Sequence, residues 1–473
     1  MEFLPKKNRL SRLKQFWLLV RQAIAGGDHD FTSGPIGRSV LLLAIPMMLE
    51  MFMESIFAVV DIFFVARLGA DAVAAVGLTE AVITLVYALA IGLSMSTTAM
   101  VARRVGAKNP EGAAVVSGQA LWVGFVVALG VGVIGILFAR DILVLIGAST
   151  TVVEDGSGYT AIMLGGSLTI LFLFLLGAIF RGAGDANIAM RALWLANGIN
   201  IVLDPCLIFG LGPFPEMGVT GAAIATNIGR GIGVCYGLHC LFGRAGRIPM
   251  DISHLRIVPS VLARLLRVSV GGVLQFLIAT SSWVVLMKIV SVYGSTAIAG
   301  YTIAIRTIDL TILPAWGMSN AAATLVGQNL GAGDPDRAER SVWVTVRYNA
   351  AFMISVAVVL IIFAEPILRL FIEDPTVVEY GVDCLRFVSY GYGFYAVGMV
   401  LEQSFNGAGD TVTPTWINLF CFWIVQIPLA YSLAQKLQLG PQGVFLAITV
   451  AESLIALVAV WLFRRGRWKL KAV

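Results

Sequence analysis

Three acidic residues interrupt the first long apolar run of this 473-residue chain: Glu50, Glu54 and Asp61. Separations of four, seven and eleven residues place all three on one face of an α-helix. The fifth run carries a second polar stripe, Asn197, Asn200 and Asp204, at separations of three, four and seven. Pro205 follows and lacks an N–H, so the carbonyl one turn earlier loses its partner. Thr226, one run later, supplies a hydroxyl. An ionisable group inside a membrane span is costly and marks an ion or substrate path. Two carboxylates in an apolar cavity repel one another, which favours proton uptake. Carboxylate, amide and hydroxyl oxygens equally suit a hard cation such as Na⁺. Asp61, Asn200, Asp204 and Thr226 are therefore the candidate cation-coupling set, and metal ligands only if coupling uses Na⁺. Glu54 and Asn197 are the candidate substrate contacts. The same groups could instead bond to one another as interhelical glue.

The elements that must position these residues are twelve apolar runs, centred near residues 52, 86, 125, 169, 198, 228, 277, 310, 351, 394, 424 and 452. Each is long enough to cross a bilayer, which takes about 20 residues. Hydrophobic residues make up 58% of the chain and charged residues 13%, where a soluble domain carries roughly 25% charged. Open strands cannot cross lipid, so an all-α membrane protein is expected.

The net charge of +5 does not indicate nucleic acid, because the basic residues alternate by loop. They crowd both ends (Lys6, Lys7, Arg9, Arg12, Lys14; Arg464, Arg465, Arg467, Lys469, Lys471). They recur in every second loop, at Arg103, Arg104 and Lys108, at Arg181, at Arg244, Arg247 and Arg256, and at Arg337 and Arg340. Lys/Arg excess marks the cytoplasmic side, so both termini are expected inside. Residues 9–24 form a short basic amphipathic helix for the inner membrane surface, or else a disordered tail. No cleavable signal peptide is expected before the first run. The five cysteines and three histidines show no disulfide or metal spacing. GxxxxGK[ST] is absent, as is any Ser-His-Asp or Cys-His arrangement. An enzyme is not expected, and no cofactor beyond a coupling ion.

Gly-Ala-Gly-Asp occurs three times, at 182–185, 331–334 and 407–410. The first and third copies are 225 residues apart, and Gly106-Ala107 and Pro110 match Gly331-Ala332 and Pro335 at the same offset. Two homologous halves are expected, around a site near the membrane middle. The boundaries read 1–38 (basic N-terminal segment), 39–242 (first bundle), 243–259 (linker), 260–463 (second bundle) and 464–473 (basic tail). The offset sets Leu286, Val425 and Leu429 opposite Asp61, Asn200 and Asp204, so acid-based coupling belongs to the first half. The second half keeps Lys288, Arg306, Asp309, Glu402 and Glu452. Basic residues inside spans are few, chiefly Lys288, Arg306 and Arg347.

The motifs resemble the multidrug and toxic compound extrusion (MATE) transporters over Ser39–Phe463. They are Val60-Asp61-Ile62-Phe63, Phe180-Arg-Gly-Ala-Gly-Asp185, Asn200-Ile-Val-Leu-Asp-Pro205 and Asn406-Gly-Ala-Gly-Asp-Thr411 with Thr413-Pro414. The resemblance implies twelve transmembrane helices in two six-helix bundles around a central cavity. It implies export of cationic amphipathic compounds in exchange for H⁺ or Na⁺. In the DNA-damage-inducible-type branch, Asp61, Asn200 and Asp204 match the cation site, with Thr226 completing it. Other branches place acids where this chain has Ala279 and Tyr395. A monomer in the inner membrane is expected. The alternatives are a flippase for lipid-linked precursors, which would need a cavity rich in Arg and Lys, and a non-transporting membrane receptor.

Overall fold

The computed structural model describes residues 9–243 and 246–471; Lys6, Lys7 and Arg244 lie outside the described residues, as do the side chains of 9–13. Helix α1 (Arg9–Ala25) precedes the spans. Its Phe16 and Trp17 are exposed, while Arg191 Nη2 donates to the Ile24 and Ala25 carbonyls at its end (3.0 and 2.9 Å).

The first bundle contains α2 (Ile36–Val65), α3 (Ala70–Gly106), α4 (Pro110–Leu145), the pair α5 (Thr150–Gly165) and α6 (Ser167–Ala183), α7 (Ala186–Phe209) and α8 (Gly218–Phe242). The second repeats the order. It has α9 (Pro259–Val290), α10 (Ser295–Gly331), α11 (Pro335–Ile362), the short α12 (Ala364–Arg369), the pair α13 (Pro375–Tyr390) and α14 (Tyr392–Gly407), α15 (Val412–Lys436) and α16 (Pro441–Arg464). Among the described residues, ten helical segments are long and apolar enough to span a membrane, with α5 and α6 counted as one. The pair α13–α14, bent by 58°, makes an eleventh. The twelfth is α8, whose apolar character is diluted by Thr226, Asn227 and Arg230. The fourth span of each bundle breaks at a glycine, Gly166 or Gly391, and these are 225 residues apart.

The repeated motif is a pair of helix caps. Gly184 and Gly409 take left-handed φ of 93° and 82°, a conformation glycine adopts without Cβ strain. Behind each, an aspartate N–H bonds back across the end of the helix, Asp185 to Phe180 O and Asp410 to Phe405 O (2.8 and 2.9 Å). At the middle copy Gly333 is left-handed, and its first-half counterpart is Lys108 at φ 54°. The next residue caps the following helix: Asn109 accepts from Gly112 N, and Asp334 from Arg337 N, both at 2.8 Å.

The bundles touch through α2 against α10 and through α3 against α9 and α10. Close approach at the end carrying both chain termini depends on reciprocal glycines. A Cβ on Gly106 would overlap the Gln328 carbonyl, and one on Gly331 would overlap the Arg103 carbonyl. Gln328 Nε2 also donates to Gly182 O (3.0 Å) and Thr324 Oγ1 to Arg181 O (3.0 Å). The bundles are thus closed together at this end.

Candidate functional site: a charged cavity and a buried polar cluster

Above that closure lies a solvent-connected cavity of about 1180 Å³ between the bundles. Its walls are mostly apolar, with Met51, Ile91, Leu173 and Phe174 from the first bundle and Leu313 and Trp316 from the second. Apolar walls with a few placed polar groups are the usual make-up of a small-molecule site. The polar groups come from the acidic face of α2. Glu50 is 5% exposed and its Oε1 pairs with Arg181 Nη1 at 2.5 Å. One turn on, Glu54 Oε2 accepts from Asn197 Nδ2 at 2.9 Å. Arg230, buried on α8, also lines the cavity and donates to Tyr87 Oη at 2.9 Å.

Two of these residues correct the sequence reading. Arg181 was expected in an inner loop; it belongs to the last turn of α6 and reaches into the cavity, because the helix runs on to Ala183. Arg230 was not among the basic residues expected inside spans, although a lone Arg within Asn227-Ile-Gly-Arg230 of an apolar run was a legible signal. The cavity therefore holds two acids and two guanidiniums. Glu50 is neutralised rather than free, and Glu54 is the lining carboxylate bonded by an amide.

Further along the same two helices the second group assembles. Asn200 Nδ2 donates to Asp204 Oδ1 (3.2 Å) and to Thr226 Oγ1 (3.0 Å), joining α7 to α8. All three residues are buried, Asp204 completely. Asp204 Oδ2 and Asn200 Oδ1 have no partner, so two acceptor atoms are left unsatisfied in a dry site. Asp61, half-buried on α2, lies near enough for its charge to act on Asp204, but it makes no hydrogen bond to the cluster. Glu80 of α3 and Arg230 are its other charged neighbours. Glu80 was not singled out from the sequence. Its significance depends on how α3 packs against α2, which periodicity does not reveal. The helix α7 continues through Pro205. No group of three or more His, Cys, Asp or Glu suited to a metal occurs among the described residues.

Twelve spans in two repeated bundles, with a cavity between them and a polar cluster inside one, define a secondary transporter. The MatE family profile matches residues 46–206 and again 273–432. The chain belongs to this family and is a multi-pass membrane transporter of small molecules, not an enzyme. It is 27% identical over 451 residues to the probable multidrug resistance protein NorM of Thermotoga maritima, covering 93% of this chain and 94% of that protein. It is also 27% identical to a FAD transporter of Shewanella oneidensis, over 92% of this chain and 96% of that one. A solved outward-facing conformation of a multidrug resistance MATE family transporter of the MOP superfamily superimposes with a TM-score of 0.87. Its identity is 27%, and the match covers 93% of this chain and 98% of that one.

Proposed function

We propose that this chain is a secondary antiporter exporting cationic amphipathic compounds in exchange for H⁺ or Na⁺. In this reading it is a monomer in the cytoplasmic membrane with both termini inside, built from bundles 39–242 and 260–463. The observation that carries the reading is that substrate cavity and polar cluster share two helices. On α2, Glu54 lines the cavity and Asp61 lies toward the cluster; on α7, Asn197 and Asn200 with Asp204 divide in the same way. A cation taken up among Asp61, Asn200, Asp204 and Thr226 would neutralise the two carboxylates and satisfy the free Asp204 Oδ2 and Asn200 Oδ1. Neutralisation drives transport only if it favours one packing of α2 and α7 over another. Glu54, whose carboxylate is held by an amide and not by an ion pair, is the group that meets a substrate ammonium. The aromatic and apolar walls would hold the remainder.

A second reading is export of an anionic amphipath, favoured by Arg181 and Arg230 in the cavity and by the relative named as a FAD transporter. The lipid-linked precursor flippase is less well supported, since both guanidiniums are engaged by Glu50 and Tyr87. A non-transporting receptor leaves the cluster without a role.

Efflux from proteoliposomes tests the proposal, with a cationic dye inside and a pH or Na⁺ gradient imposed separately. One of the two gradients should accelerate efflux. Absence of any response to either would end the antiport reading.

A further inference from the structure

The interior of the second bundle contains oxygen atoms that nothing satisfies. Glu452 on α16 is 7% exposed, and no hydrogen bond or ion pair reaches it among the described residues. Glu402 on α14 has a buried, unbonded Oε1. The two carboxyl groups are near enough to act on one another and on Cys421 of α15. No basic group acts on either. The other titratable group beside them is Tyr395, with Asp309 of α10 beyond it. Cys421 lies in a π-helical stretch of α15, Leu419–Gln426. Asn418 and Gln426 flank that stretch, 6% and 1% exposed. Asn418 Oδ1 and Gln426 Oε1 also lack partners.

Three features distinguish this group from ordinary interhelical bonding. Buried polar atoms in folded proteins are nearly all paired, yet four residues on three adjacent helices are left unsatisfied together. The local π-turn is rare and recurs at functional sites. The repeat does not impose the arrangement either. At an offset of 225 the first bundle has Gly177, Leu193, Ile201 and Asn227. Asn227 is fully bonded there, to Ile162 O, Ala223 O and Thr169 Oγ1. Two buried carboxyl groups without a basic partner are unfavourable until a cation neutralises them. Hard monovalent cations are met by carboxylate and amide oxygens of this kind.

We propose that Glu402 and Glu452, with Asn418 Oδ1 and Gln426 Oε1, form a second small-cation site inside the second bundle, which takes up H⁺ or Na⁺ independently of Asp61 and Asp204. The site does not depend on the first-bundle cluster being the coupling site. Because Gln403 of the same helix lines the central cavity, the occupancy of this site acts on α14 where it meets substrate.

The test is thermal unfolding of the full-length protein in detergent, in an Asp61→Asn/Asp204→Asn background. One titration raises NaCl against choline chloride at fixed pH; the other lowers pH without Na⁺. The midpoint should rise in one of them, and the responding titration identifies the cation. Adding Glu402→Gln and Glu452→Gln should abolish that rise and also raise the cation-free midpoint, because neutral amides relieve the repulsion. A merely structural pair would instead lose stability on substitution. If the combined variant does not fold, Glu452→Gln alone carries the same comparison. No shift in either titration, or a shift that survives the Gln substitutions, would overturn the proposal.

Discussion

Glu50 and Arg181 of the first bundle have exact repeat counterparts in the second, Gln275 and Asn406, 225 residues on. The first pair is a buried ion pair at 2.5 Å. The second is a reciprocal amide pair, with Gln275 Nε2 donating to Asn406 Oδ1 and Asn406 Nδ2 to Gln275 Oε1, both at 3.1 Å. Each ties the first span of its bundle to the end of the fourth. The skeletal role is therefore the same and the charge is not. Beyond this pair the bundles diverge further: Glu54 faces Ala279, Asp61 faces Leu286, Asp204 faces Leu429 and Arg230 faces Ile455 at the same offset. One scaffold can thus place fixed charge in one half of a membrane protein while the other half meets the same packing demand with neutral groups.

The sharpest way to break this comparison is Arg181→Ala. It strands Glu50 in an apolar wall, and removing one partner of a buried pair costs about 3–5 kcal/mol. The double change Glu50→Gln/Arg181→Asn copies the second bundle's amide pair and should restore most of the folded protein. Thermal unfolding of both in detergent decides it; equal losses would mean that charge, not tethering, is required.

Closure between the bundles comes next. Gly106→Val and Gly331→Val place side chains against reciprocal carbonyls, and overpacking of this kind costs about 1–3 kcal/mol. Each should hold the terminus-bearing end apart, so that a cysteine at Thr324 becomes reactive to a membrane-impermeant thiol reagent. Unchanged protection would show that the contact is not the closure.

A smaller effect is expected from Glu54→Gln, which should lower efflux of cationic dyes by severalfold and of neutral ones little, with ion coupling retained. Equal transport of both kinds would remove Glu54 from substrate selection.

The smallest concerns the caps Ser149 and Asp374, which are repeat counterparts. Ser149 Oγ accepts from Val152 N at 3.3 Å, and Asp374 accepts from Thr376 N and Val377 N. Ser149→Ala should cost about 1 kcal/mol at every pH. Asp374 differs, because hydrogen bonds from the Thr376 side chain and backbone and from Val377 hold its carboxyl below the usual carboxylate range. A depressed folded value gives stability that is present above about pH 4 and lost as pH falls further. Asp374→Asn should remove that acid-side dependence in an unfolding titration.

Much of the architecture was legible because it is periodic. Apolar runs of membrane length and a motif recurring at one offset define the spans, the halves and, through Gly184 and Gly409, the turns between them. The stripe Asn197, Asn200 and Asp204 was legible for the same reason, since one helix carries it. Pairing across helices was not. Arg181 reads as a loop charge until α6 is seen to extend to Ala183, and nothing local joins it to Glu50, 131 residues earlier. Glu402 read as interfacial and Glu452 as unassignable, because what distinguishes them is the absence of partners, which only packing reveals.

The account rests most heavily on coupling through the first-bundle cluster. Gradient-driven dye efflux from proteoliposomes should be compared for the unaltered protein, Asp61→Asn, Asp204→Asn and the double variant, at matched amounts of folded protein. Each single change should reduce gradient-driven efflux by at least about tenfold, and the double should add little, because residues acting as one unit are non-additive. Normal efflux in Asp61→Asn, or two independent losses that multiply in the double variant, would contradict a shared cation site.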